Sequence, residues 1–341
     1  MKITYSKSSS GIKLESNKRF QEEARAFQKQ MTTYKKLKGA SKRVHCIVCA
    51  KKLTGEKFAH RGLSFIQCAH CKHVQLTLIP PKDYLQHHQF YAVYPKLNQK
   101  DYEDRKQRIY TPKLAWILAS LRSFGYSNAE LKRMNWFEFG TGAGYFLSAV
   151  KDFGIKHFGG CDGDFRLVRS ANHFLGSRRV SHENQPISKL IGTYSSDIYI
   201  AFYVMEHMED THEFLLHLKN LPKGTLFIFS VPVFGFAALL DNAFHHRYAR
   251  NLDGVLHTQL YSDDSIRYVM KLAGYQIKAE WVFGQDMDDL WRYLKLQLAG
   301  KYSKRMEWEI AKKLAILQDE LQNCLDRAMF SDQRHILAVK S

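Results

Sequence analysis

The sequence predicts an α/β protein built on a doubly wound, mostly parallel sheet, with a small cysteine-rich module before it and a helix and strand after it. Three observations predict this. An apolar run, Met134 to Phe139, meets Gly140, Gly142 and Gly144, and apolar residues then recur at helical spacing (Phe146, Leu147, Val150, Phe153). That pattern reads as strand, tight turn and helix. Strand-like and helix-like segments keep alternating downstream, as a sheet with crossover helices requires. Upstream stand two Cys-x-x-Cys pairs, Cys46/Cys49 and Cys68/Cys71.

The elements follow in order. Residues 1–43 carry 12 Lys or Arg against three Glu, half of the chain's formal charge of +18. They read as a basic arm, solvated by default, with nucleic acid or another anionic surface as the sharper alternative. A helix over residues 18–38 would have only a thin apolar face. Residues 44–80 read as a zinc ribbon: 18 residues separate the two cysteine pairs, and Phe58 to Gln67 has strand-like residues about a turn, His60-Arg61-Gly62. Two such knuckles bring four thiolates into a tetrahedron, a closed site whose role is structural. Cys161 and Cys324 read as ordinary buried thiols.

Residues 81–130 form an aromatic-rich connector (Tyr84, Phe90, Tyr91, Tyr94, Tyr102) and an amphipathic helix over 106–124. The rings either pack on the next domain or cover its site. The main domain spans 131–300. Its second strand, His157 to Asp162, ends in an acid 22 residues after Gly140. A carboxylate there can accept both hydroxyls of a ribose, with Asp164 as the alternative. A helix over 165–174, a short polar segment over 181–188, a strand from Asp197 to Phe202, a helix from Thr211 to Leu221 and a strand from Thr225 to Val231 follow. In residues 301–341, a helix over 303–329 carries an apolar stripe (Met306, Ile310, Leu314, Leu317, Leu321, Leu325), read as core packing or a homodimer seam. His335 to Val339 reads as a last strand.

The glycine spacing is G-x-G-x-G. A dinucleotide site wants a further glycine at 145, where Tyr145 stands. Glu138, just before the turn, suits a cationic ligand better than a pyrophosphate. Both features favour S-adenosylmethionine over a nicotinamide cofactor.

Residues 134–232 resemble a class I S-adenosylmethionine-dependent methyltransferase with a Rossmann-like sheet. The resemblance is carried by Phe137-Glu-Phe-Gly-Thr-Gly-Ala-Gly-Tyr-Phe146, Gly160-Cys-Asp162, Ala201-Phe-Tyr-Val-Met-Glu-His-Met208 and Pro222 to Pro232. With the ribbon in front, residues 44–340 are similar to a bacterial subgroup linked to modification of sugars and polysaccharides. The resemblance implies that Glu138, Gly140, Gly142 and Gly144 meet the methionine end, Asp162 the ribose, and Phe202 to Glu206 the methionine moiety and target pocket. Glu183 and Asn184 are the candidates for adenine.

Two histidines are candidates for the general base, His257 and His207. In the subgroup's sugar C-methyltransferases a glutamate precedes the loop histidine, whereas here Leu256 precedes His257. O- or N-methylation therefore fits better than C-methylation, and His257 either takes a proton or positions substrate. Gln285 and Asp286 read either as binders of sugar hydroxyls or as turn residues. An RNA methyltransferase using the arm and ribbon, and a non-catalytic protein on the same fold, are the alternative functions. No apolar run approaches the roughly 18–20 residues that span a bilayer. The first residues lack the apolar stretch of a secretory signal, so the expected location is cytoplasmic.

Overall fold

The computed structural model describes residues 1–7, 40–60, 62–79, 98–244, 252, 257–298 and 300–341. The expected helix over 18–38, Tyr84, Phe90, Tyr91, Tyr94 and Leu256 lie outside these residues.

In chain order, β1 (Lys2–Tyr5) is followed by β2 (Ser41–Lys42), the hairpin strands β3 (Gly55–His60) and β4 (Leu63–Cys68), β5 (Val74–Leu76) and β6 (Leu78–Ile79). Helix α1 (Gln99–Arg105) runs through one turn of π-helix, Lys106–Tyr110, into α2 (Thr111–Ser123). A short α3 (Asn128–Arg133), started by a Ser127/Glu130 capping box, leads to β7 (Trp136–Phe139). Then come α4 (Tyr145–Asp152), β8 (Phe158–Asp162), α5 (Phe165–Leu175), β9 (Val180–His182), α6 (Ile187–Leu190) and β10 (Ile198–Phe202). Helix α7 (Thr211–Lys219), β11 (Leu226–Pro232), α8 (Phe236–Ala243), β12 (Gln259–Leu260), α9 (Asp263–Ala273) and β13 (Tyr275–Val282) follow. The chain closes with α10 (Asp286–Leu298), α11 (Lys304–Arg327) and β14 (Gln333–Lys340).

The main sheet has the order β1-β13-β14-β11-β10-β7-β8-β9. Strands β7 to β11 pair in parallel, and β14 inserts antiparallel between β11 and β13. The order reverses direction beside β7, so the carboxyl ends of β7, β8 and β10 open a crevice at the switch point. Side chains alternate across the sheet. Phe137, Phe139, Tyr199 and Phe227 enter one apolar layer with Phe214 of α7 and Val269 of α9. Trp136, Ile198, Ile200 and Ile228 enter the other, with Leu114 and Ile117 of α2 and Phe146 of α4. Both layers are continuous, so the doubly wound α/β expectation holds.

Four features differ from the sequence reading. First, the polar segment after residue 180 contains a sheet strand, β9, whose three residues are too few to show an apolar pattern. Second, part of the basic arm is built in. Residues 2–5 add a parallel edge strand beside β13, and Arg43 is buried, binding Glu209 at 2.7 Å and the Leu76 carbonyl at 3.1 Å. Third, the ribbon is woven into the main domain: β12 joins its sheet beside β5, giving the order β12-β5-β4-β3. Cys46, Ile47 and Val48 share an apolar layer with Val204 and Met205.

Fourth, core packing along the predicted stripe of α11 is overturned. Met306, Leu317 and Leu321 are exposed, while Gln318, Gln322 and Asp326 are buried; Cys324 on the same helix is exposed too, against its reading as a buried thiol, whereas Cys161 is buried. Acids at the start of α10 set this rotation: Gln318 donates to Asp288 (2.5 Å) and Gln322 to Asp286 (2.9 Å). Buried carboxylates need donors more than the helix needs its apolar face covered.

Candidate active site

The glycine turn is a backbone cradle. Gly140 and Gly144 lie at φ +64° and +77°, conformations that side chains oppose. A Cβ on Gly140 would sit 2.6 Å from Val204 Cγ2, and one on Gly144 2.9 Å from Ala171. The turn is thus closed against the segment after β10 and against α5, which leaves its other face as bare backbone. Asp162, at the end of β8, is tied to it: Oδ2 accepts the Gly142 N–H and Oδ1 the Asp164 N–H, each at 2.8 Å. Burial nevertheless raises the Asp162 pKa. Asp164 instead caps α5 and pairs with Arg166 at 2.8 Å, which pulls its pKa down.

Glu138 lies in β7, 2% exposed, with Oε2 unbonded. Burial raises its pKa well above the usual range, with Lys113 opposing and Asp162 reinforcing that rise. A buried acceptor without a donor, beside bare backbone, fits the cationic end of S-adenosylmethionine. Glu183 follows β9 directly and accepts the Tyr194 hydroxyl, so it stands at the third strand's end, where the resemblance wants the adenine contact.

Sequence reasoning missed Lys113. It is 2% exposed, and its Nζ lies 4.4 Å from the Tyr203 ring centre, 4.8 Å from Phe202 and 5.4 Å from Tyr110. Burial, with Lys7 and Arg105 adding repulsion, brings its pKa down to about 7. Its signal was a lysine at the helical spacing of Ile117 and Leu121, on the apolar face of α2. The same helical segment supplies a ring stack: Tyr110 on Tyr145 (5.2 Å), Tyr145 on Tyr102 (4.5 Å) and Tyr102 on Phe174 (3.9 Å). Of the connector's aromatics, Tyr102 therefore packs against the helix after the glycine turn.

After Phe202, Tyr203 takes φ +56°, a costly conformation for a bulky residue. Its N–H still bonds Ser230 (2.9 Å) and its hydroxyl donates to Gln333. The bend turns the chain into one 3₁₀ turn, Met205–His207. Glu206 is fully buried, its carboxylate oxygens without hydrogen bonds, and burial pushes its pKa up to about 8. His207 and His257 are brought together, ring centres 4.8 Å apart.

The ribbon holds this corner. His73 Nε2–H donates to Gln259 Oε1 (2.7 Å), while Gln259 Nε2 donates to the Met205 (3.1 Å) and Met208 (2.7 Å) carbonyls. His212 bonds the Val48 carbonyl at 2.8 Å. The four cysteines are buried, with Cys46 Sγ 3.6 Å from Cys71 Sγ and Cys49 Sγ 3.8 Å from Cys68 Sγ. Tetrahedral zinc with arms of about 2.3 Å separates its sulfurs by about 3.8 Å, so the donor set fits such an ion. Asp286 is buried and accepts from Ala237 N–H (3.0 Å) and Gln322 (2.9 Å) inside the C-terminal packing. That favours the turn reading over sugar binding, because both carboxylate oxygens already hold the chain together.

A family model described as "Methyltransferase domain" matches residues 110–280. Among solved structures, the chain is similar to a Galdieria sulphuraria protein assigned as a sarcosine dimethylglycine methyltransferase (14% identity, 72% of this chain and 92% of that one, TM-score 0.44). It is also similar to magnesium protoporphyrin IX methyltransferase of Synechocystis PCC 6803 with bound SAH (14%, 74% and 92%, TM-score 0.43). A third is a SAM-dependent methyltransferase of Archaeoglobus fulgidus (13%, 74% and 100%, TM-score 0.43). No curated protein matches the chain.

Proposed function

The chain belongs to the methyltransferase-domain family, an S-adenosylmethionine-dependent enzyme, and from that premise we propose that it methylates a hydroxyl or amine of a sugar or glycan precursor. The observation that carries the proposal is the closed four-cysteine cluster seated against the turn that bears Glu206 and His207. A ribbon in front of such a core is the basis of the sequence resemblance to the sugar-modifying subgroup, and in that way it supports the reading. Zinc in the cluster, held by Cys46, Cys49, Cys68 and Cys71, has a structural role, because four thiolates leave no open position.

The methyl donor, when bound, supplies an already activated methyl group on a sulfonium. The chain's residues then have three tasks. Gly140, Gly142 and Gly144 offer bare backbone, and Glu138 offers its unbonded oxygen to the positive charge. Asp162 holds the ribose and at the same time fixes the Gly142 N–H. Phe202 and Tyr203, walled by Lys113, exclude water beside the transferring group, which strengthens electrostatic contacts there. At the acceptor side His257, with His207 beside it, receives or displaces the acceptor's proton, and Glu206 stands behind them. Positioning supplies most of the catalysis in such a transfer.

The test is direct. Purified protein, isotope-labelled methyl donor and a panel of nucleotide-linked hexoses and amino sugars are incubated in parallel with total RNA. Label entering a sugar, with the mass gain of one methyl in place of hydrogen, supports the reading. Label entering RNA alone overturns it. No transfer in any arm, together with no donor binding by calorimetry, would favour a non-catalytic protein.

A further inference from the structure

We propose that Glu206, His207 and His257 form a second metal site, separate from the four-cysteine cluster, which takes a divalent transition ion and presents it to the oxygen of the methyl acceptor. The proposal deepens the acceptor-side reading above and rests on it.

One ligand atom from each of the three residues lies within 4.8 Å of the others. Arms of about 2.0–2.2 Å to nitrogen and oxygen place two ligands at most about 4.4 Å apart across an ion, so a small inward rotation of the side chains closes the set. The two imidazoles are tilted by 48°, so they are not stacked face to face. Glu206 adds the independent observation: it is fully buried, and both carboxylate oxygens lack hydrogen bonds. An acceptor pair of that kind inside a protein asks for a cation.

The next acid, Glu209, is already engaged by Arg43 at 2.7 Å and is no rival ligand. The ligands come from two chain segments held by different means. Glu206 and His207 ride on the 3₁₀ turn after β10, and His257 precedes β12, which pairs with β5 of the ribbon. Gln259 ties the two segments together through the Met205 and Met208 carbonyls. The metal site is thus built where the ribbon meets the sheet.

Two nitrogens and one carboxylate form an open ligand set of the kind used by catalytic zinc, manganese, iron or cobalt, in contrast to the closed thiolate cluster. Val204, two residues before Glu206, packs against Gly140, so the ligand set stands next to the donor cradle. An acceptor hydroxyl bound there becomes more acidic and loses its proton to water. The oxygen forms a bond to the methyl carbon while the carbon–sulfur bond breaks, and the electron pair goes to sulfur, leaving a neutral thioether. No oxidant or reductant enters the balance. With an ion bound, His257 serves as a ligand and the ion, not the ring, lowers the hydroxyl's proton affinity, so no glutamate is needed at the Leu256 position.

Cobalt(II) titration of the zinc-loaded full chain tests the site. The expected result is one further equivalent bound, with the weak visible bands of a nitrogen and oxygen environment and without thiolate-to-cobalt charge transfer. His257→Ala and Glu206→Gln should each weaken that binding at least tenfold while keeping the circular-dichroism spectrum, and His257→Ala should also keep donor affinity. His182→Ala, at the end of the edge strand β9, should bind as wild type. No second equivalent, or unchanged binding in both ligand variants, overturns the site. Methyl transfer to a sugar that survives complete removal of the second ion overturns its acceptor role. If the ion binds and the variants lose it, yet no sugar is methylated, the metal site stands and the sugar reading falls.

Discussion

The proposed donor side and the proposed acceptor side of this enzyme are built in opposite ways. The donor side is local: the glycine turn, Glu138 before it and Asp162 on the adjacent strand lie within 25 residues and act largely through backbone. The acceptor side is assembled from afar. His73 of the ribbon, Glu206 after β10, His257 and Gln259 before α9 meet only because the ribbon's sheet accepts β12 as a fourth strand. A cradle of backbone needs little support, whereas a corner of convergent side chains depends on every segment that holds it. The two halves should therefore fail separately.

The largest separation is expected from the ribbon. Cys46→Ser, or zinc removal by chelation, should cost methyl transfer at least 100-fold while donor affinity changes by less than about threefold, because structural zinc contributes folding free energy to the segment it closes. Calorimetric titration with S-adenosylhomocysteine beside a turnover assay gives both numbers. An equal loss of donor binding would mean that the ribbon supports the whole sheet and that the comparison is wrong.

Asp162→Asn probes the other half. It keeps the shape but replaces a charged acceptor of two backbone N–H groups, and charged hydrogen bonds contribute about 1.5–3 kcal/mol each. Donor affinity should fall at least tenfold with the ribbon's metal content unchanged. Unaltered affinity would remove Asp162 from the site. A smaller, purely acceptor-side effect is expected for Gln259→Leu. Removing the link from His73 to the Met205 and Met208 carbonyls should cost about 1–3 kcal/mol of stability and reduce turnover about fivefold, with donor affinity preserved. Thermal unfolding and steady-state kinetics check it; donor affinity falling in step with turnover would show that the link serves both sides.

The same division governs what the sequence reveals. Strand β7, the glycine turn, Asp162 and the thiolate spacing were legible because each signal sits in a few consecutive residues with a fixed physical meaning. Strand β9 was not, since three residues at a sheet edge leave no periodicity. The orientation of α11 was misread because its apolar stripe lost to the need of Asp286 and Asp288 for donors, a demand arising elsewhere in the chain. Arg43 likewise looks like one more charge of a basic arm until Glu209 is seen beside it. His207 and His257 were named as separate candidates, but only tertiary structure shows them 4.8 Å apart. Lys113 was visible as a cation at an apolar helical position, and its meaning came only from the rings it faces.

Lys113 also marks the seam between the halves, since the charges of Glu138 and Glu206 both act on it and Lys7 and Arg105 oppose it. Replacement by Met keeps the aliphatic stem and removes the buried charge. With a folded pKa of about 7 against an ordinary 10.5, the unfolded chain binds the proton more tightly, so wild-type stability rises as pH climbs between those values. The cost of burying the charge is complete below pH 7, reduced in part by ring contacts of roughly 0.5–2 kcal/mol each. Lys113→Met should therefore stabilise the donor-free protein by about 1–2 kcal/mol near pH 6.5, the balance of a desolvation cost against those contacts. The gain should shrink steadily towards pH 10. Thermal unfolding of both proteins across this range measures it. A gain that is constant with pH would mean that Lys113 is not the group that titrates at the seam, and a loss of stability would mean that its contacts with Tyr110, Phe202 and Tyr203 outweigh its desolvation.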